Sequence, residues 1–170
     1  MKYIMMMFAT AILLLVGCVY ESPLTKEHNI AVDPAVLGVW EPIQVNDDKA
    51  KNDERMMILK YSDTEYLIHY PPGGNDEAYY RGYPIKIGGV SCVQLQIIGT
   101  DDGSLKKDEK GLFHVASYRL TDGQLEVKLL NTDLVDDSLK TTDGLREAFL
   151  KHKENKELFN DPGVFRKIKK

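Results

Sequence analysis

Two thiols, Cys18 and Cys92, and four imidazoles, His28, His69, His114 and His152, are the side chains on which reactive chemistry would centre. Their placement assembles little. The His-Glu-X-X-His pattern of zinc hydrolases is absent, as are a Gly-X-Ser-X-Gly elbow, a glycine-rich phosphate loop and a Cys-X-X-Cys pair. His69 and His114 fall singly on strand-like runs. A metal site is conceivable there only if the fold brings them together beside a carboxylate; otherwise they read as polar side chains on a sheet. Asp101-Asp102 and Asn131, Asp133, Asp136 and Asp137 offer hard oxygens without the alternating layout of a calcium loop. They read as turn caps. The residues therefore predict no catalytic centre, no metal and no cofactor: a non-enzymatic protein.

Composition narrows the class further. The chain has 170 residues, enough for one domain whose core needs no metal or disulfide to hold it. Its 22 Lys and Arg are outnumbered by 26 Asp and Glu, whereas a nucleic-acid binder would show a basic stripe, so nucleic acid is not expected as a partner.

The front of the chain reads as an export signal. Lys2 supplies a positive start, and residues 4–16 form an uncharged apolar run. A run of about thirteen residues suits a signal segment and is short of the roughly 20 that span a bilayer. No basic stop-transfer cluster follows it: Glu21 precedes Lys26. The run ends in Leu15-Val16-Gly17-Cys18, which resembles the lipobox of bacterial envelope lipoproteins. That resemblance implies removal of residues 1–17 as a signal peptide, a diacylglyceryl group on the Cys18 thiol and an N-acyl chain on its amine. It also implies attachment of the protein to a membrane through lipid. Two or three acyl chains anchor durably where one binds only marginally. In such lipoproteins an Asp after the cysteine retains the protein at the inner membrane, so Val19 favours the outer membrane in a host with two. Lipidation would leave Cys92 without a partner thiol, expected as a small buried hydrophobe.

Residues 18–36 contain Pro23 and Pro34 among polar residues without a period, and read as a lipidated N-terminus and flexible tether. Residues 37–170 then read as one domain. GVWEPIQV, MMILKYS, TEYLIHY, YPIKI, SCVQLQIIG, LFHVASYRL and QLEVKLLN are short runs rich in β-branched and aromatic residues, separated by turn-forming residues. Leu125, Val127 and Leu129 alternate with Glu126 and Lys128, and Val93, Leu95 and Ile97 with Gln94 and Gln96, as half-buried antiparallel strands do. Asp122-Gly123 predicts a tight hairpin turn. Near 142–154 the period becomes helical, with Leu145, Ala148, Phe149 and His152 behind the capping residues Thr141-Thr142-Asp143. Asp161-Pro162-Gly163 ends the helical region, and a short final strand follows over 164–168. The predicted fold is mainly β: a small antiparallel up-and-down barrel of about seven or eight strands with one late helix.

Gly38-Val39-Trp40, at the start of the first strand, resembles the opening motif of the lipocalins and the broader calycin group. The resemblance implies that Trp40 plugs one end of the barrel beneath a basic side chain from late in the chain, with Arg119 and Arg166 as candidates. It also implies a small apolar ligand in the lumen. Trp40 reads equally as an ordinary core residue. Tyr66, Tyr70, Tyr79, Tyr80 and Tyr83 crowd around Pro71-Pro72-Gly73-Gly74. Rings with hydroxyl tips suit a ligand mouth, which makes Trp40, Tyr66, Tyr70 and Tyr83 the candidate ligand contacts; they suit a barrel rim as well. A solid barrel working through its surface, as an envelope assembly factor or protein inhibitor, is the alternative.

Overall fold

The computed structural model describes residues 19–43, 55–71, 77–100, 103, 105 and 111–168. The expected signal peptide at 1–17 and Cys18 lie outside these residues. Among the described residues eight strands form the fold: β1 (Gly38–Pro42), β2 (Met56–Lys60), β3 (Tyr66–Tyr70), β4 (Ala78–Ile87), β5 (Val90–Thr100), β6 (Phe113–Thr121), β7 (Gln124–Leu130) and β8 (Phe159–Lys167). Each pairs antiparallel with the next, and β8 closes on β1 through Trp40↔Lys167. The predicted up-and-down antiparallel barrel is the observed one.

The alternation that marked the strands sets the two sides of the wall. Val93, Leu95, Leu125 and Leu129 enter the interior cluster with Trp40, Ile58, Ile68 and Phe165. The turns between strands follow local chemistry. Asp122 and Gly123 both have positive φ, 52° and 77°, the type I′ combination whose twist matches the flanking strands.

A second apolar layer lies against the outside of the wall. Tyr83, Ile85 and Ile87 of β4, Cys92 of β5 and Val115 of β6 pack with Leu145 and Phe149 of helix α1 (Thr142–His152). Thr141 caps that helix, its Oγ1 accepting the Gly144 N–H at 3.1 Å. Asymmetric cover of one barrel flank explains why the outward residues Tyr83, Ile85 and Ile87 of β4 and Cys92 of β5 are apolar where simple alternation would make them polar.

Two expectations are corrected. The expected tether over residues 18–36 is, throughout its described part from Val19, an ordered strap on the barrel. Tyr20 and Leu24 are 1% and 2% exposed and belong to the outer apolar layer. Tyr20 exchanges two backbone hydrogen bonds with Phe113, and Val32 N–H donates to Asp63 O. Irregularly spaced apolar residues hide this from a periodicity reading, because a strap has no period to match. The short final strand is a nine-residue stave, Phe159–Lys167. Asp161-Pro162-Gly163 does not precede it. Asp161 takes φ 52°, and the pairing with β7 shifts between Val127 and Leu129, so the turn-forming residues sit in a bulge inside the strand.

Candidate ligand cavity

The last residues of the strap plug the interior at the end where β1 starts. A 3-10 helix (Pro34–Val36) begins where Asp33 caps it, its side chain accepting the Ala35 N–H at 2.9 Å. The indole N–H of Trp40, a fully buried residue, donates to Val36 O at 2.8 Å. The cation over the Trp40 ring is Lys167, whose Nζ lies 5.3 Å from the centroid and donates to Ala35 O at 2.9 Å. This corrects the expected partners. Arg119 pairs with Glu126 and Arg166 with Glu41, both at 2.6 Å on the outside of the wall. Among the described residues Lys167, directly opposite Trp40 in the β1–β8 register, is the cation that reaches the ring.

Above the plug lies an apolar cavity of about 70 Å³. Met56, Ile58 and Ile68 form one side, Val93, Leu95 and Ala116 another, and Leu125, Val127, Leu129 and Phe165 the rest, with Val36 toward the plug. Tyr66, Tyr70, Tyr80 and Tyr118 complete the wall through their rings. Trp40 packs in the same interior without lining the cavity, so its place is the plug.

The five clustered tyrosines divide by strand parity. All lie on β3 or β4 instead of a mouth loop. Tyr66 and Tyr70 both line the cavity, at different depths. Tyr66 is 2% exposed, and its hydroxyl accepts the Asp33 N–H at 2.7 Å. The same hydroxyl bonds Tyr118, and burial holds the Tyr66 phenol above its ordinary range. Tyr70 sits at the far end of β3, edge-on to Phe165 at 6.3 Å. Tyr80 is also interior, and burial pushes its phenol to about 12. Tyr79 faces outward and stacks on His69 at 4.2 Å.

Tyr83 is corrected from a ligand contact to a fastening under the strap. It belongs to the outer layer, stacks against His28 at 3.5 Å and is hydrogen-bonded to Gln94. Gln94, fully buried, accepts the Leu24 N–H at 2.6 Å and donates to Thr25 O at 3.2 Å. The sequence placed Gln94 on the polar face of β5 but held no sign that a strap would cover it. Gln94→Leu leaves the buried Leu24 N–H without its acceptor and the part-buried Thr25 carbonyl without its donor, at about 1–3 kcal/mol. Urea denaturation should show that loss, with hydrogen exchange faster at Leu24 and unchanged at Leu125.

A second fastening joins strap, turn and wall. Glu65 is 6% exposed, accepts from Arg81 Nη2 at 2.5 Å and lies 2.6 Å from His28 Nδ1. Arg81 first, then His28, holds the Glu65 carboxyl below its usual 4.5. A carboxylate depressed in the folded state contributes stability that is full above its unfolded value and lost as pH falls through the folded one. Stability of the wild-type protein should therefore fall more steeply below about pH 4.5 than that of Glu65→Gln, as read by denaturation at stepped pH.

The histidines do not assemble. His69 is on the outer surface, 2.9 Å from Glu77 Oε2, while His114 lies edge-on to the interior Tyr80 at 5.9 Å. The wall separates them. Among the described residues no group of three or more His, Cys, Asp or Glu side chains is placed to hold a metal ion. Cys92 is 2% exposed, and burial raises its thiol to about 12, far from thiolate chemistry. No helix among the described residues is long and apolar enough to cross a membrane. Comparisons with protein-family models, with curated proteins and with solved structures find no match.

Proposed function

We propose that this chain is a non-catalytic envelope lipoprotein whose lipocalin-like barrel holds a slim apolar ligand, of the shape of part of an acyl chain. The observation that carries the reading is the apolar cavity of about 70 Å³ inside a barrel plugged at one end. Cavities walled by apolar atoms stay dry and take apolar guests. Ordinary small-molecule sites run to about 300–1,000 Å³, so a bulky ring system does not fit here, and the space suits only a short stretch of an unbranched chain. The committed hydroxyls of Tyr66 and Tyr118 supply no polar group to the cavity, so a polar head would remain outside.

The test is a titration of the purified domain with a fluorescent fatty acid bearing a linear polyene tail, beside a bulky anilinonaphthalene dye. Saturable binding of the linear probe alone supports the reading. Failure of both to bind would favour the solid barrel acting through its surface as an assembly factor or inhibitor. Leu59 and Tyr61, 46% and 65% exposed on and just after β2, are the observation that favours that second reading.

Attachment rests on the lipobox resemblance. The lipid is a diacylglyceryl group on the Cys18 thiol with an N-acyl chain, and the outer membrane is the expected site in a two-membrane host. Cys18→Ser should abolish labelling by radioactive palmitate and move the protein from the membrane to the soluble fraction. Persistent labelling would overturn the anchor.

A further inference from the structure

One part of the cavity lining is not a stave. Among the described residues that line it, Val36 alone belongs to no strand. It ends the 3-10 helix, which lies outside the ring from β1 to β8. Side chains of the barrel hold that helix. The Tyr66 hydroxyl accepts the Asp33 N–H at 2.7 Å, Lys167 Nζ donates to Ala35 O at 2.9 Å, and the Trp40 indole N–H donates to Val36 O at 2.8 Å. A backbone bond from Val32 N–H to Asp63 O, 3.0 Å, adds to them. Lifting the plug therefore breaks no ladder bond between staves.

The strap that carries the plug is unevenly fastened. Tyr20 and Leu24, 1% and 2% exposed, seat its first part in the outer apolar layer. None of residues 25–31 is buried, and Lys26, Glu27, Asn29 and Ala31 are exposed. This span meets the wall through polar groups. Thr25 O accepts from Gln94 at 3.2 Å, and His28 lies against the Tyr83 ring with Nδ1 2.6 Å from Glu65. Arg81 holds the same Glu65 carboxylate. A segment that buries little apolar surface and hangs on solvent-accessible bonds opens at lower free energy than the strands around it. Beyond the plug the chain enters β1 at Gly38, whose φ of 139° lies where glycine goes freely and other residues rarely do. Leu24 is thus a fixed point on one side of the span, and Gly38 a pivot on the other.

From this we infer that residues 25–37 form a gate: the plug swings out about Gly38, the His28–Glu65–Arg81 cluster latches it, and the apolar guest enters and leaves at this end of the barrel. The inference rests on the ligand reading and adds the regulation of that site. In the closed state Val32 and Val36 sit in the interior cluster. Opening uncovers those two small side chains, whereas parting two staves would break a run of paired backbone groups and uncover far more apolar surface. The latch is charge-assisted, which makes its hydrogen bonds stronger than neutral ones and its loss measurable.

The experiment uses the full chain in mild detergent, as wild type, Glu65→Gln, His28→Ala and Glu126→Gln. The last is the control: it removes a carboxylate that pairs with Arg119 and Lys128 on the outside of the wall. Hydrogen exchange read by mass spectrometry follows the Val32 and Asp33 amides, whose acceptors are Asp63 O and the Tyr66 hydroxyl. In wild type these amides should exchange several-fold faster than those of β5. Both latch variants should raise that rate several-fold again, with β5 unchanged, and Glu126→Gln should match wild type. Each protein is then loaded with a linear polyene fatty acid and chased with excess saturated fatty acid. Release should be several-fold faster from the two latch variants and independent of chase concentration. Exchange at Val32 and Asp33 no faster than in β5, or equal release from all four proteins, overturns the gate. Failure of all four to take up the probe overturns the ligand reading, and the exchange pattern then decides by itself whether the plug opens.

Discussion

Replacing Trp40 with alanine is expected to lower the stability of the domain by about 3–5 kcal/mol, the range for removing a fully buried large aromatic side chain. Trp40 is 0% exposed and joins three separate parts of the chain. Its ring fills the interior cluster, its N–H holds Val36 O at 2.8 Å, and its face carries Lys167. Removing it opens a cavity at the plug and leaves the Val36 carbonyl without that donor. For a domain of this size the loss corresponds to a fall in melting temperature on the order of 10 °C. Trp40→Phe keeps most of the packing and loses the N–H and most of the cation–π contact, so about 1–2 kcal/mol is expected. Lys167→Met separates the cation from the aliphatic stem that lies along Gly38, where an added Cβ would come within 2.8 Å of Lys167 Cε. Equilibrium urea denaturation of the three variants orders them. A loss for Trp40→Ala below about 1 kcal/mol would contradict the plug.

Ala116→Leu carries the second large effect, on ligand binding. Ala116 is 0% exposed, sits near the centre of β6 opposite Leu129, and lines the cavity. Three added carbons point into a space of about 70 Å³ and occupy the room an acyl chain would need. Affinity for a linear fatty-acid probe should fall at least about tenfold, or 1.4 kcal/mol. Overfilling a packed interior costs about 1–3 kcal/mol, so the barrel is expected to remain folded. Ser117→Leu, one residue along on the outer face, should leave probe binding unchanged. Val127→Leu, adding a single carbon to the same cavity, should give a smaller loss without threatening the fold. Equal binding by Ala116→Leu and wild type would place the ligand elsewhere.

What the sequence disclosed depended on whether a feature repeats. The strands of β5 and β7 were legible because Val93, Leu95 and Ile97, and Leu125, Val127 and Leu129, alternate with polar residues, and the Asp122-Gly123 turn because its backbone needs are specific. Helix α1 was legible from Leu145 and Phe149 behind the Thr141 cap. The strap was not, because Tyr20, Leu24, Val32 and Val36 follow the shape of the wall and no fixed period. The plug was half legible: Trp40 stood out, but its cation was sought among arginines. Lys167 is distinguished only by the β1–β8 register, which no local pattern specifies. The tyrosines misled for a related reason. Tyr66 and Tyr70 share a parity that faces inward, whereas Tyr83 lies on the outward parity of β4 beyond the bulge at Tyr79 and Tyr80. Apolar cover of that outer flank by α1 and the strap is a tertiary fact, and it made an outward tyrosine a buried one.

Native mass spectrometry of the full chain, extracted from its host in mild detergent, tests the central claim most directly. The account expects a reproducible added mass equal to one lipid-like molecule beyond the covalent lipid proposed on Cys18, lost on denaturation and absent from Ala116→Leu. A bare lipidated mass, together with failure of the purified barrel to take up a linear fatty acid, would contradict it.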